Sequence, residues 1–152
     1  MQAYLDATQE SGRAFFMRGI AGKVVMLNLL RFRSAADYSA TPELAPPEPI
    51  SGEAAYKLYM DHTLPHLEKS GGRLLFYGRG GGYLIGPPDE RWDAAMLVEQ
   101  SSTAEFIAFA SNAEYLAGIG HRTAALEDSR LLPLDEIDWK SRGSRSPMMQ
   151  GL

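Results

Sequence analysis

The apolar positions of the chain change period several times, and each change predicts an element. Residues 2–18 place Leu5, Phe15, Phe16 and Met17 as the anchors of a short helix, which Gly12 weakens in its middle. A turn over 19–22 leads into the densest apolar run of the chain, the strand 23–33, with Val24-Val25-Met26-Leu27-Asn28-Leu29-Leu30-Arg31-Phe32. A strand this apolar must be covered on both faces, which places it in the middle of a sheet. Asn28 is the one amide in the run. Buried without partners it costs about 1–3 kcal/mol, so it either ties a loop to the core or lines a cavity. Residues 34–50 form a long connection in which Pro42, Pro46, Pro47 and Pro49 forbid a regular helix through the second half. A connection of that length in a compact domain is usually functional or covers a partner.

Ser51 is the N-cap of a helix over 52–69 that stops at Ser70-Gly71-Gly72, with Pro65 predicting a kink near Asp61 and His62. Ala55, Leu58, Tyr59 and His62 share one face of it. Residues 73–79 predict a second strand and 83–86 a bulged continuation or short extra strand. Residues 92–100 predict a third, with Trp92, Ala94, Met96 and Val98 on one face. Ser102 and Glu105 make a capping box that opens a helix carrying Phe106, Phe109 and Ala110. A short helical turn through Tyr115, a short helix over 121–127 and a fourth strand over 130–134 follow, with Pro133 suited to an edge or a strand end. Strand, helix, strand, strand, helix, strand is the split βαβ order of an α+β, ferredoxin-like subunit with both helices on one face. The domain division is one domain over 1–152: an N-terminal helix and turn over 1–22, the ferredoxin-like core over 23–135 and a tail over 136–152. Apolar residues fall on both faces of three strands. The simplest cover for the helix-free face is a second copy of the chain, which predicts a two-fold homodimer.

Bulk composition narrows the classes of partner. A net charge of −4 argues against a nucleic-acid or anionic-membrane surface. No apolar run reaches the roughly 18 residues of a bilayer span. Met1 to Asp6 lack the basic start and apolar stretch of a signal peptide. With no cysteine there is neither a disulfide nor a thiolate nucleophile. The expectation is a soluble cytoplasmic protein.

Candidate chemistry rests on few residues. His62 is the first candidate for a general base. Its partner at i+4, His66, has the spacing of a metal pair, but Pro65 distorts that spacing and no metal is expected. Asn28 would orient a carbonyl or hydroxyl of a ligand. Tyr77 and Arg79 share a strand face and would steady developing negative charge. Glu99, at the end of the third strand, would help them rim a pocket, or all three form ordinary cross-strand pairs. Tyr59 is one of the aromatics able to wall a pocket for a planar ligand. His121 and Arg122, after Gly118-Ile119-Gly120, would hold an anion, or Arg122 pairs with Glu127 or Asp128 to clasp the last helix. The run Gly78-Arg79-Gly80-Gly81-Gly82 lacks the Lys-Ser/Thr and following helix of a phosphate loop.

Several of these segments together resemble the DUF1330 family: Val25 to Phe32, the helix with Tyr56-Lys57-Leu58-Tyr59 and Pro65, Gly71-Gly72-Arg73, Ser111 to Tyr115 with Arg122, and Glu127 to Leu131. The resemblance spans roughly residues 20–135. It implies a dimeric α+β barrel of ferredoxin-like subunits. That superfamily holds cofactor-free monooxygenases, small isomerases, haem-degrading enzymes and plain binding proteins. It implies no established activity and no agreed catalytic residues, and no cofactor is expected. Two functional expectations follow. One is a cofactor-independent enzyme of monooxygenase or isomerase type acting on a planar or carbonyl-bearing metabolite, with His62, Asn28 and Tyr77 in the site. The other is a non-catalytic small-ligand-binding or dimerisation module in which Asn28 and His62 are structural. Convergence of Asn28, His62 and Tyr77 on one cavity separates the two.

Overall fold

The computed structural model describes residues 2–140. The part of the expected tail beyond Lys140 lies outside the described residues, and 135–140 form no helix or strand. The elements run α1 (Gln9–Met17), β1 (Val24–Phe32), a 3-10 turn (Pro42–Leu44), α2 (Gly52–Lys69), β2 (Arg73–Gly82), β3 (Arg91–Gln100), α3 (Thr103–Ala110), α4 (Ala113–Leu116), α5 (Ile119–Ala125) and β4 (Leu126–Leu134). The four strands make one antiparallel sheet in the order β2-β3-β1-β4. This is the ferredoxin-like α+β arrangement, with the apolar strand β1 in the interior of the sheet. No helix among the described residues is long and apolar enough to cross a membrane.

Local chemistry explains where the helices start. Thr8 and Ser11 bond reciprocally in a capping box, so α1 begins at Gln9 rather than at residue 2. Ser51 accepts from the Ala54 amide to start α2, which runs unbroken through Pro65 to Lys69. Gly52 is required there. A Cβ would collide with the carbonyl oxygens of Arg33 and Ala125, which also accept backbone bonds there: Arg33 O from Gly52 N ties the start of α2 to the residue after β1, and Ala125 O from Arg33 N ties that residue to the end of α5. The core is the contact of α2 with the sheet and the end of α5: Ala55 and Tyr56 of α2 with Leu30, Ala94, Met96 and Leu126 of the strands and Ala125 of α5.

Other places also differ from the pattern-based reading. Residues 83–86 are a bend and not a strand; the Tyr83 hydroxyl donates to Glu90 and closes the loop. β4 begins at Leu126, so Glu127, expected at the helix end, and Asp128-Ser129, expected between the two elements, are all strand. Trp92 leaves the group of Ala94 and Met96. The β1–β3 ladder ends at Leu30–Ala94. Beyond it the Asp93 carboxylate accepts from the Phe32 amide, and the Trp92 ring packs against the guanidinium groups of Arg31 (4.6 Å) and Arg130 (5.0 Å).

The face of the sheet away from α2 carries an apolar row in register across all four strands. Phe76 lies opposite Leu97, Leu97 opposite Leu27, and Leu27 opposite Leu132. Phe76 and Leu132 are more than half exposed.

Candidate functional site

Between α2, α3–α4 and the inner face of the sheet lies a cavity of about 130 Å³. Met26 and Asn28 of β1, Met96 and Val98 of β3, and Phe106 and Phe109 of α3 form much of its wall. Alternation along β1 puts Asn28 on the side of Met26 and Leu30, so the amide of the apolar strand opens on this space. Its Nδ2 donates to the Met26 carbonyl at 3.3 Å, a long bond to its own strand. Its side-chain oxygen has no hydrogen bond among the described residues.

Polar groups from α2, α4 and α5 meet the same cavity. Tyr56, Tyr59 and Thr63 stand at i, i+3 and i+7 of α2, one helical face. The hydroxyls of Tyr59 and Tyr115 bond each other at 2.8 Å, and both residues are 8% exposed. Two hydroxyls sharing one bond use only one of their two protons, so the pair keeps a donor to offer. Burial pushes the Tyr56 and Tyr59 hydroxyls well above the ordinary tyrosine value; the Arg122 charge offsets only part of this. Both therefore stay protonated at neutral pH. Thr63 is 8% exposed and its hydroxyl has no hydrogen-bond partner among the described residues. Among the described residues Arg122 is the one charged group on the wall, which neither a carboxylate nor an imidazole lines.

Arg122 is also the link to the N-terminal segment. Its Nη1 donates to Leu5 O (2.6 Å) and its Nη2 to the Ser129 hydroxyl (3.3 Å). The expected clasp to Glu127 or Asp128 is thus replaced by bonds to Leu5 and Ser129. Ser129 in turn donates to Tyr4 O, and Asp128 accepts from Tyr4 N at 2.8 Å. Burial alone would raise the Asp128 carboxyl. The Tyr4 amide, Arg130 and the Ser129 amide outweigh it and hold the group below its ordinary value.

The other candidates lie elsewhere. His62 Nε2 bonds Glu114 O at 2.7 Å, and its ring occupies the space that a Cβ on Gly118 would need. Tyr77 and Arg79 border a separate cleft of about 190 Å³ with Glu53 and Asp93, where Arg79 pairs with Glu53 at 3.4 Å. Tyr56, whose ring centroid is 6.5 Å from that of Tyr77, belongs to the wall of the main cavity, which Tyr77 does not reach. Glu99 pairs with Arg73 (3.0 Å) and Lys23 (3.4 Å), and the Arg73 bond leads in holding its carboxyl below the ordinary value. His121 Nδ1 meets the Tyr38 hydroxyl at 2.7 Å and so tethers the long connection; burial, then the charge of His62, lowers its pKa. Of the named candidates, Asn28, Tyr59 and Arg122 come together on the cavity, whereas His62, Tyr77, Arg79, Glu99 and His121 do not. Tyr56, Thr63, Gln100 and Tyr115 are the polar wall residues that sequence reasoning did not name as candidates. The i, i+3, i+7 spacing on α2 was the available signal for the first two.

No protein-family model and no curated protein matches the chain. Among solved structures, that of methylated RPA0582 is 33% identical, with a TM-score of 0.81 over 93% of this chain and 100% of the other. A second RPA0582 structure, described as a protein of unknown function from Rhodopseudomonas palustris, is 34% identical, with a TM-score of 0.77 over 90% and 99%. Identity at this level along nearly the whole of both chains, together with one shared backbone, means that the chain belongs to the RPA0582 family.

Proposed function

We propose that the protein binds a small planar molecule bearing a carboxylate or carbonyl in the cavity beneath α2 and supplies no base of its own. The observation that carries this reading is the unpartnered hydroxyl of Thr63, a residue more than nine-tenths buried that lines an otherwise largely apolar cavity. Leaving such a group unpaired costs about 1–3 kcal/mol, which a polar ligand atom offsets. The same wall carries hydrogen-bond donors: the Asn28 amide, the spare proton of the Tyr59–Tyr115 pair and Arg122. Arg122 favours an anion, since guanidinium recognises carboxylate with charge-assisted bonds. The volume, about 130 Å³, suits a single ring: a dry engineered cavity of about 150 Å³ in another protein takes benzene. An enzyme using His62 as base finds no support, because that imidazole is held by Glu114 O away from the cavity.

Benzoate is the probe. Calorimetry should show it binding to the wild type and weakening at least tenfold in Asn28→Ala and in Arg122→Gln. Binding that ignores both substitutions, or no binding of benzoate and its amide, refutes the site. The motifs shared with DUF1330 support a finer placement of this family within that group. The apolar row Phe76–Leu97–Leu27–Leu132 supports self-association through the open face of the sheet.

A further inference from the structure

Resting on that reading, we infer that the ligand is elongated: an acidic ring occupies the inner cavity, and an apolar tail passes Met26 into a larger hollow beneath the N-terminal segment. The hollow measures about 580 Å³ and lies between α1 with its leading residues, α3 and β4. Met26, Phe106 and Leu131 wall both spaces, so the two abut at these side chains. Methionine is the residue best suited to yield there, being unbranched and adaptable.

The packing of α1 is the second observation. A surface helix normally buries an apolar stripe against the core, yet α1 has no buried residue. Its one half-buried aromatic, Phe15, meets Phe106 edge-on at 5.8 Å between centroids. The segment is instead fastened beyond its two ends. Tyr4 and Leu5 are bonded to Asp128, Ser129 and Arg122; Arg18 donates to Pro133 O at 2.7 Å. A helix tied at both ends and packed on little in between spans a hollow rather than closing a core. The hollow is lined largely by apolar side chains, among them Leu5, Ala14, Phe15 and Pro133. Arg122 joins the compartments, since it lines the inner cavity while holding Leu5. An arene carboxylate extended by an alkyl or aryl tail meets all of these features at once.

The test is a series of para-alkylbenzoates from methyl to octyl, titrated against the full chain beside benzoate itself. Affinity should rise about fourfold per methylene once the tail enters the hollow. The rise should flatten in Ala14→Trp, which narrows the hollow from α1. Gly12→Leu is the second variant; a Cβ there meets nothing within 4 Å, so the side chain starts into open space. Benzoate that binds with no gain along the series overturns the extension and leaves the inner site standing. Failure of benzoate and the whole series overturns both. A gain that persists unchanged in both variants places the tail elsewhere and also overturns the inference.

Discussion

Removal of one hydroxyl from the Tyr59–Tyr115 pair should cost more than half of what removing both costs. The two oxygens are 2.8 Å apart, and both residues are 8% exposed. In Tyr59→Phe the Tyr115 hydroxyl stays buried without its partner, and in Tyr115→Phe the reverse holds. Each single variant should lose about 1–2 kcal/mol. In the double variant no orphan remains, so its loss should stay near that of one single change, a coupling of about 1 kcal/mol. For a chain of this size that is a fall of about 2–8 °C in Tm for each single variant, at about 2–4 °C per kcal/mol. Urea denaturation followed by circular dichroism gives the free energies, and an unchanged m-value shows that only the native state was altered. A double variant whose loss equals the sum of the singles within about 0.3 kcal/mol would refute the mutual dependence of the hydroxyls.

Four further outcomes can be checked. Because burial raises the Tyr56 hydroxyl above its ordinary value of 10.0, its contribution is complete below that pH and is lost as pH rises past it; alkaline unfolding should therefore begin at higher pH in Tyr56→Phe, and identical profiles would contradict this. Asp128 has the opposite sign: its carboxyl lies below the ordinary 3.8, so it stabilises above that pH and ceases to as acid protonates it. Asp128→Asn should make the segment before α1 cleavable by limited proteolysis at neutral pH, and unchanged protection would show that the Tyr4 bond is dispensable. Leu27→Asp places a charge in the middle of the open sheet face and should shift sedimentation from dimer to monomer; a wild type that is monomeric at tens of micromolar removes the self-association reading. Gly52→Ala should cost about 2 kcal/mol or more, because its Cβ meets two backbone oxygens that side-chain rotation cannot move.

What the sequence disclosed followed the range of the interactions involved. The interior position of β1 was legible because burial on both faces leaves a continuous apolar run. The start of α2 was legible because Ser51 caps it through a bond three residues away. Asn28 stood out for the same local reason. The length of β4 was not legible: Asp128 and Ser129 are polar because they bind Tyr4, more than a hundred residues away. Arg122 was noticed, but its true partners, Leu5 and Ser129, depend on where the N-terminal segment lies. His62 shares the helical face of Tyr59 in a coarse projection. The three-residue step between them turns it about 60° around the helix, enough to carry it from the cavity to the Glu114 carbonyl.

The interior place of β1 has a consequence for the order in which the molecule can be made. β2 and β3 are neighbours in sequence and can pair as soon as both exist. β1 can complete neither of its ladders locally: one partner begins at Arg91 and the other at Leu126. Pairings of such sequence separation carry a large loop-closure cost and slow folding. During synthesis the strand Val24–Phe32 therefore waits, with one edge unpaired until the last strand emerges. An apolar strand with an open edge is an aggregation template. Truncations that remove β4 should thus appear in the insoluble fraction, their fate decided by the exposed edge of the strand at the heart of the sheet.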